Sequence, residues 1–118
     1  MKRDIKIKRT ERVLKELIPE AIASLESEIL NGISVVDVVC SRGRSDAKVY
    51  LDPTFIDKSE QQEIIRELKT IRKYIETYCA NEQGWFKSPK LSFHFDDSLE
   101  KENRIEELFQ KVAKELHD

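Results

Sequence analysis

His94 and His117 are the only histidines, and Cys40 and Cys79 the only cysteines, in a chain of 118 residues. The side chains able to move protons or attack carbonyls near neutral pH are therefore few. His94 stands two residues from Asp96, and such a pair can form a general base. No nucleophile or second acid is placed beside it, and a surface or partly covered histidine is the commoner use. Cys40 ends an apolar run and Cys79 flanks an apolar stripe, so both read as small buried hydrophobes. Asp96-Asp97 could suggest a metal, but adjacent carboxylates before a helical pattern more often serve capping and the helix dipole. A phosphate-cradling loop needs clustered glycines, and Gly32, Gly43 and Gly84 are far apart. No catalytic residue, metal or cofactor is expected; the residues point to a binding protein.

The cations offer better material. Arg42 and Arg44 bracket Gly43 in the turn cluster Ser41–Asp46, where guanidinium groups can reach phosphates, and Lys48 follows. Arg66, Lys69 and Lys73 lie one above another at spacings of three and four, with Arg72 at the shoulder. Exposed Lys and Arg also pair with Glu63 or Glu76 in any soluble helix, so this stripe is weak evidence alone. Lys87 and Lys90 flank Pro89 beside Trp85 and Phe86. That aromatic pair could stack on a splayed base, although a lid over the core is its commoner use. Arg9 and Arg12 could extend the same surface.

These residues need elements to hold them. Ser88–Glu100 contains Leu91, Phe93 and Phe95 alternating with polar residues, the period-two pattern of a strand with one buried face. Thr10 to about Leu30 carries a broad helical stripe through Val13, Leu14, Leu17, Ile18, Ala21, Ile22, Leu25 and Ile29. Pro19 interrupts that stripe without changing its phase, which favours one kinked helix. The first ten residues are expected to fray before Arg9, and Asn31-Gly32 to supply a stop. Ile33–Cys40 is rich in β-branched residues and Ala47–Leu51 alternates, predicting two antiparallel strands joined by the Ser41–Asp46 turn. Ser59 with Gln62 has the capping-box form. It precedes an amphipathic helix with Ile64, Leu68, Ile71, Ile75 and Tyr78 on its stripe, ending by Gly84. A last helix is predicted over 97–118, capped by Asp97 or Ser98, with Ile105, Leu108, Phe109, Val112 and Leu116 inward. The order α-β-β-α-β-α predicts a two-layer α+β domain, a three-stranded sheet with helices on one face.

Composition agrees with a single domain spanning 1–118. Apolar residues make up 39% and charged residues 37%, a thin core under a solvated exterior. No apolar run approaches the length of a membrane span, and no apolar segment follows the basic N-terminus, so neither a membrane partner nor a secretory signal is expected. Two isolated cysteines suit a reducing cytoplasm. The net charge of −2 hides a polarity. Residues 1–15 hold seven basic against two acidic side chains, and residues 96–118 hold four against eight. Such a division suits a protein with one basic face.

Val36-Asp37-Val38, Ser41 and Ala47-Lys48-Val49-Tyr50 resemble the strand–turn–strand signature of the bacterial ribosome-binding factor A family. Pro89-x-Leu91-x-Phe93, Asp96-x-Ser98 and Arg104-Ile105 resemble its closing motif at matching spacing. The resemblance runs from about Arg9 to about Leu116. It implies a type II KH-like domain and a non-catalytic assembly factor for the small ribosomal subunit. Such a factor binds 16S rRNA on immature 30S subunits and assists late maturation, particularly in the cold. Two departures stand out. Leu30-Asn31-Gly32 replaces an Asp-Pro-Arg segment and Ile71-Arg72-Lys73 replaces an Ala-x-Gly kink; a GxxG clamp is missing too, as the family's divergence from standard KH domains implies. The middle helix is therefore predicted to be straighter than usual or to kink by another route.

From charge and position, RNA contact is expected at Arg42, Arg44, Lys48, Lys69, Arg72, Lys73, Arg9, Arg12, Lys87 and Lys90, in a monomer. The rival reading is an adaptor domain of similar shape that docks a protein through Trp85-Phe86 without binding RNA.

Overall fold

The computed structural model describes residues 2–97. The predicted final helix and its cap at Ser98 lie outside the described residues. Within them the order is α1 (Lys2–Ser24), β1 (Val35–Cys40), β2 (Asp46–Leu51), α2 (Lys58–Gln83) and β3 (Lys90–Phe95). This is the α-β-β-α-β order expected, arranged as a three-stranded sheet with both helices packed on one side.

The first helix starts at Lys2 rather than near Thr10. The apolar stripe extends backwards through Ile7, which packs against the core, and Thr10, which is buried. Thr10 satisfies its hydroxyl by donating to the Lys6 carbonyl at 2.9 Å, so its polarity costs little there. The helix passes through Pro19 without a break, as the unchanged phase predicts. It stops at Ser24 rather than Leu30. Leu25 and Glu26 donate to the carbonyls of Ile22 and Ala23, tightening the last turn, and Glu26 takes a left-handed φ of 52°. Turns through residues 28–32 return Leu30 to the core at 2% exposure. Gly32 takes a positive φ of 85° within these turns, but it is not the helix stop expected of Asn31-Gly32, because α1 has already ended.

β2 is the central strand. It pairs antiparallel with β1 and parallel with β3, with Ala47 beside Leu91, Val49 beside Phe93 and Leu51 beside Phe95. Val38, Cys40, Ala47, Val49, Leu51, Leu91 and Phe93 are buried and join Leu14, Ile18, Leu68, Ile75 and Cys79 in one core. Each of the larger aliphatic side chains stabilises the fold by about 1.5–3 kcal/mol relative to exposure. A bulge between Val35 and Asp37 shifts the register and leaves Val36 exposed. The opposite sheet face carries Val39, Lys48, Tyr50, Ser92 and His94; His94 Nε2 lies 3.0 Å from Ser92 Oγ and its ring centroid 5.8 Å from that of Tyr50.

The cap of α2 differs from the expected one. Asp57, not Ser59, holds the N-terminus: its Oδ1 accepts the Glu60 N–H at 2.8 Å. Ser59 lies inside the helix, two residues too late to cap it. The 26-residue helix runs unbroken through Ile71-Arg72-Lys73. Without the glycine of the related motif, every residue there can keep the helical ladder. Gly84 closes the helix at φ 66° and the Trp85 N–H returns to the Ala80 carbonyl at 2.9 Å, a glycine-terminated stop that few other residues could make.

Each helix also reaches a rim of the sheet. The Ser41 N–H pairs across to Asp46, so the Cys40 N–H faces outward, and it donates to Glu11 Oε2 of α1 at 2.8 Å. The Val38 N–H, facing the same way, donates to Asp37 Oδ1 at 2.9 Å. At the two ends of β3 the Lys90 and Asp96 N–H groups donate to the Ser45 and Leu51 carbonyls, which leaves the Leu91 N–H outward; it donates to Glu76 Oε2 of α2 at 2.8 Å.

Candidate nucleic-acid interface

The loop from Gly84 to Pro89 sits between two open grooves. One is bordered by Thr10, Gly43, Arg44, Trp85, Phe86, Lys87 and Pro89. The other is bordered by Arg72, Lys73, Glu76 and Thr77 of α2 together with Trp85, Phe86, Lys87, Ser88 and Lys90. Trp85, Phe86 and Lys87 belong to both and form the ridge between them. Folding therefore gathers five predicted contacts from distant parts of the chain around one loop: Arg44, Arg72, Lys73, Lys87 and Lys90.

The loop is held at both ends. The Trp85 N–H bond closes the helix, Trp85 packs against the core, Ser88 and Pro89 are buried, and the Lys90 N–H donates to the Ser45 carbonyl at 2.8 Å. The Trp85-Phe86 pair divides its duties. Trp85 covers the core, as the commoner use of such a pair suggests, whereas Phe86 is fully exposed. Arg44 occupies a left-handed φ of 56° at the hairpin tip, and its N–H donates to the Ser41 carbonyl at 2.9 Å. The adjoining Gly43 does not carry the positive φ that the turn requires.

Arg72 is the least free of the cations. Its Nε lies 3.7 Å from Glu76 Oε2 and is buried without a hydrogen bond among the described residues. Glu76 spends its short contact on Leu91 instead. A guanidinium held this way offers its outer nitrogens to an anion at small ordering cost.

The remaining predicted contacts are dispersed. Arg9 and Arg12 are exposed on α1 and Arg42 is exposed beside Gly43, and none of the three lines either groove. Lys69 borders a separate groove with Lys58, Arg66, Ile65 and Phe95 near the start of α2. Lys48 stands on the exposed sheet face, in register with Val39 and Ser92, away from the helical layer that carries Arg72 and Lys73. Nothing in the sequence placed Lys58 beside Lys69, because it precedes the apolar stripe.

Charge separates these surfaces from two other concavities. One beside α1 is bordered by Glu26 and Glu28, another below β2 by Glu28, Asp52 and Glu60, and neither has a cation on its lining. Such walls repel phosphate. Among the described residues no group of three or more His, Cys, Asp and Glu could hold a metal, and no helix is long and apolar enough to cross a membrane. Cys40 and Cys79 are free and buried. Burial first, then neighbouring Glu11, pushes the Cys40 thiol up to about 11; burial, then Glu76 and Glu20, does the same for Cys79.

Comparison with known proteins identifies the family. Residues 6–109 match the family model described as ribosome-binding factor A. The ribosome-binding factor A of Campylobacter jejuni is 47% identical over 98% of this chain and 96% of its own length. That of Wolinella succinogenes is 43% identical over 96% and 95%. Among solved structures, ribosome-binding factor A from Thermus thermophilus superposes with a TM-score of 0.65 at 24% identity, over 75% of this chain and 93% of that one. A homology model of the Thermus thermophilus factor, fitted into a cryo-EM map of a complex with the 30S subunit, superposes at 0.59 and 24% identity, over 72% and 89%. On the family match and the near full-length identity to its relatives, the chain belongs to the ribosome-binding factor A family.

Proposed function

We propose that this chain is a non-catalytic assembly factor of the small ribosomal subunit. It acts as a cytoplasmic monomer with a KH-like domain, binds 16S rRNA on immature 30S subunits, and assists late maturation before leaving. The observation that carries this reading is the convergence of Arg44, Arg72, Lys73, Lys87 and Lys90 on the two grooves beside Phe86, against acidic linings elsewhere. Family membership supports the ribosomal partner, and the fitted Thermus thermophilus relative supports the 30S subunit in particular. Arg9, Arg12, Arg42, Lys48 and Lys69 lie outside both grooves and are the weaker contacts.

Five cations neutralising five phosphates of a single strand give a salt slope of about −3.5, or about a hundredfold loss between 50 and 200 mM salt. Arg44→Glu combined with Lys87→Glu lowers co-sedimentation with free small subunits on a sucrose gradient and leaves the circular dichroism spectrum unchanged. Unchanged co-sedimentation refutes the assignment of these grooves. Enrichment on joined ribosomes instead of free subunits refutes the assembly role. One observation favours the adaptor reading, the fully exposed Phe86; a salt-insensitive protein interaction lost in Phe86→Ala, without RNA retention by the wild type, selects it.

A further inference from the structure

Two phenylalanines stand fully exposed, Phe55 and Phe86, and single exposed apolar residues usually need no explanation. Their surroundings distinguish them. Phe55 borders the concavity that holds Glu28, Asp52 and Glu60. Phe86 stands on the ridge between two grooves, with Arg44 on one side, Arg72, Lys73 and Lys90 on the other, and Lys87 common to both. The backbone beneath Phe86 is fixed by the Gly84 helix stop, by Trp85 against the core and by the Lys90–Ser45 bond. An exposed ring on an anchored loop between cations is a stacking surface whose backbone is already ordered before a ligand arrives, so little backbone entropy remains to be lost on contact.

Resting on the RNA-binding reading above, we propose that Phe86 stacks on an unpaired base of a single-stranded RNA segment that crosses the ridge. The cations of the two grooves hold the phosphates on either side of that base. A duplex cannot present a base face to Phe86 without opening, so the site selects single strands or splayed nucleotides. Stacking tolerates any base, because each has a π-face, and the site accordingly selects strand state rather than sequence. Phe86 acts by stacking and the lysines and arginines by charge, so the two contributions separate in experiment.

The test uses the full chain and a short single-stranded RNA carrying one 2-aminopurine, with the duplex of the same sequence as comparison. Phe86→Ala is expected to weaken single-strand binding about 5- to 150-fold, to leave the salt slope unchanged, and to abolish the stacking-dependent quenching of 2-aminopurine. Phe86→Trp retains affinity and quenching, whereas Phe86→Leu falls with Phe86→Ala. Wild-type affinity in Phe86→Ala, or full rescue by Phe86→Leu, overturns the proposal. Loss of binding in Arg44→Glu/Lys87→Glu with none in Phe86→Ala overturns stacking alone. Absence of RNA binding by the wild-type chain overturns both readings. If Phe86→Ala binds RNA normally but leaves the small-subunit fraction, the ring docks a protein and the proposal is again overturned.

Discussion

Glu76 joins the stability of the domain to the electrostatics of its proposed interface, and the two effects are expected to run in opposite directions. Its Oε2 accepts the outward N–H of Leu91 at 2.8 Å and lies 3.7 Å from Arg72 Nε. A hydrogen bond to a charged acceptor contributes about 1.5–3 kcal/mol, and an i,i+4 ion pair adds about 0.3–0.5 kcal/mol. Glu76→Ala removes both and strands the Leu91 N–H, a loss of about 2 kcal/mol, or about 8 °C in Tm at about 4 °C per kcal/mol for a domain of this size. Glu76→Gln keeps an acceptor at the rim and loses about half as much. Urea denaturation followed by circular dichroism measures both. The same substitutions remove a negative charge from the groove shared by Arg72, Lys73 and Lys90. Affinity for RNA therefore rises, about twofold for one charge roughly 10 Å from a phosphate in water. A Glu76→Ala protein within about 0.5 kcal/mol of wild type refutes the latch between α2 and β3. Loss of stability and RNA affinity together refutes the electrostatic half of the argument.

Two further substitutions and a titration check other parts of the account. Asp57→Ala destabilises the domain by about 1 kcal/mol through the lost cap of α2, while Ser59→Ala is nearly neutral; equal effects in denaturation would return the cap to Ser59. The two thiols have native values near 11 against an ordinary 9.0. Below pH 9 both states keep the proton and the contribution is fully present. As pH rises from 9 towards 11 the unfolded chain releases it first, so unfolding free energy falls across that window. Cys40→Ala/Cys79→Ala flattens this part of the stability profile, and an unchanged slope counts against burial as the cause. Native protein at pH 8 correspondingly resists thiol labelling until denaturant is added.

The strands were legible because their evidence is local. Alternation at Ala47–Leu51 and Leu91–Phe95 and the β-branched run before Cys40 give the buried faces seen in the core. The helix ends were harder to read, since they depend on competing local bonds. Asp57 and Ser59 are both good caps, and the bond to Glu60 decides between them only in three dimensions. Glu26 ends α1 in a left-handed conformation that nothing in a glutamate announces. The start of α1 was obscured because Ile7 and Thr10 belong to a stripe whose other early positions are charged. For the site, residue types were readable but neighbourhood was not. Lys73 and Lys87 lie in different elements, and only the return of the chain after Gly84 brings them to one groove. Lys48 carries the same charge, and strand alternation sends it to the other face.

The carboxylates at the rims of the sheet decide how this molecule can meet others. Among the described residues β1 and β3 are both edge strands, and edge strands invite pairing with a passing chain. Here the outward N–H groups of Val38, Cys40 and Leu91 are already taken by Asp37, Glu11 and Glu76. An incoming strand would have to break charge-assisted bonds and leave acidic groups facing its own carbonyl oxygens. Pairing from one copy to the next, or with an extended peptide, is thereby discouraged at those three positions, each of which holds an acidic side chain where a neighbouring strand would place a carbonyl oxygen.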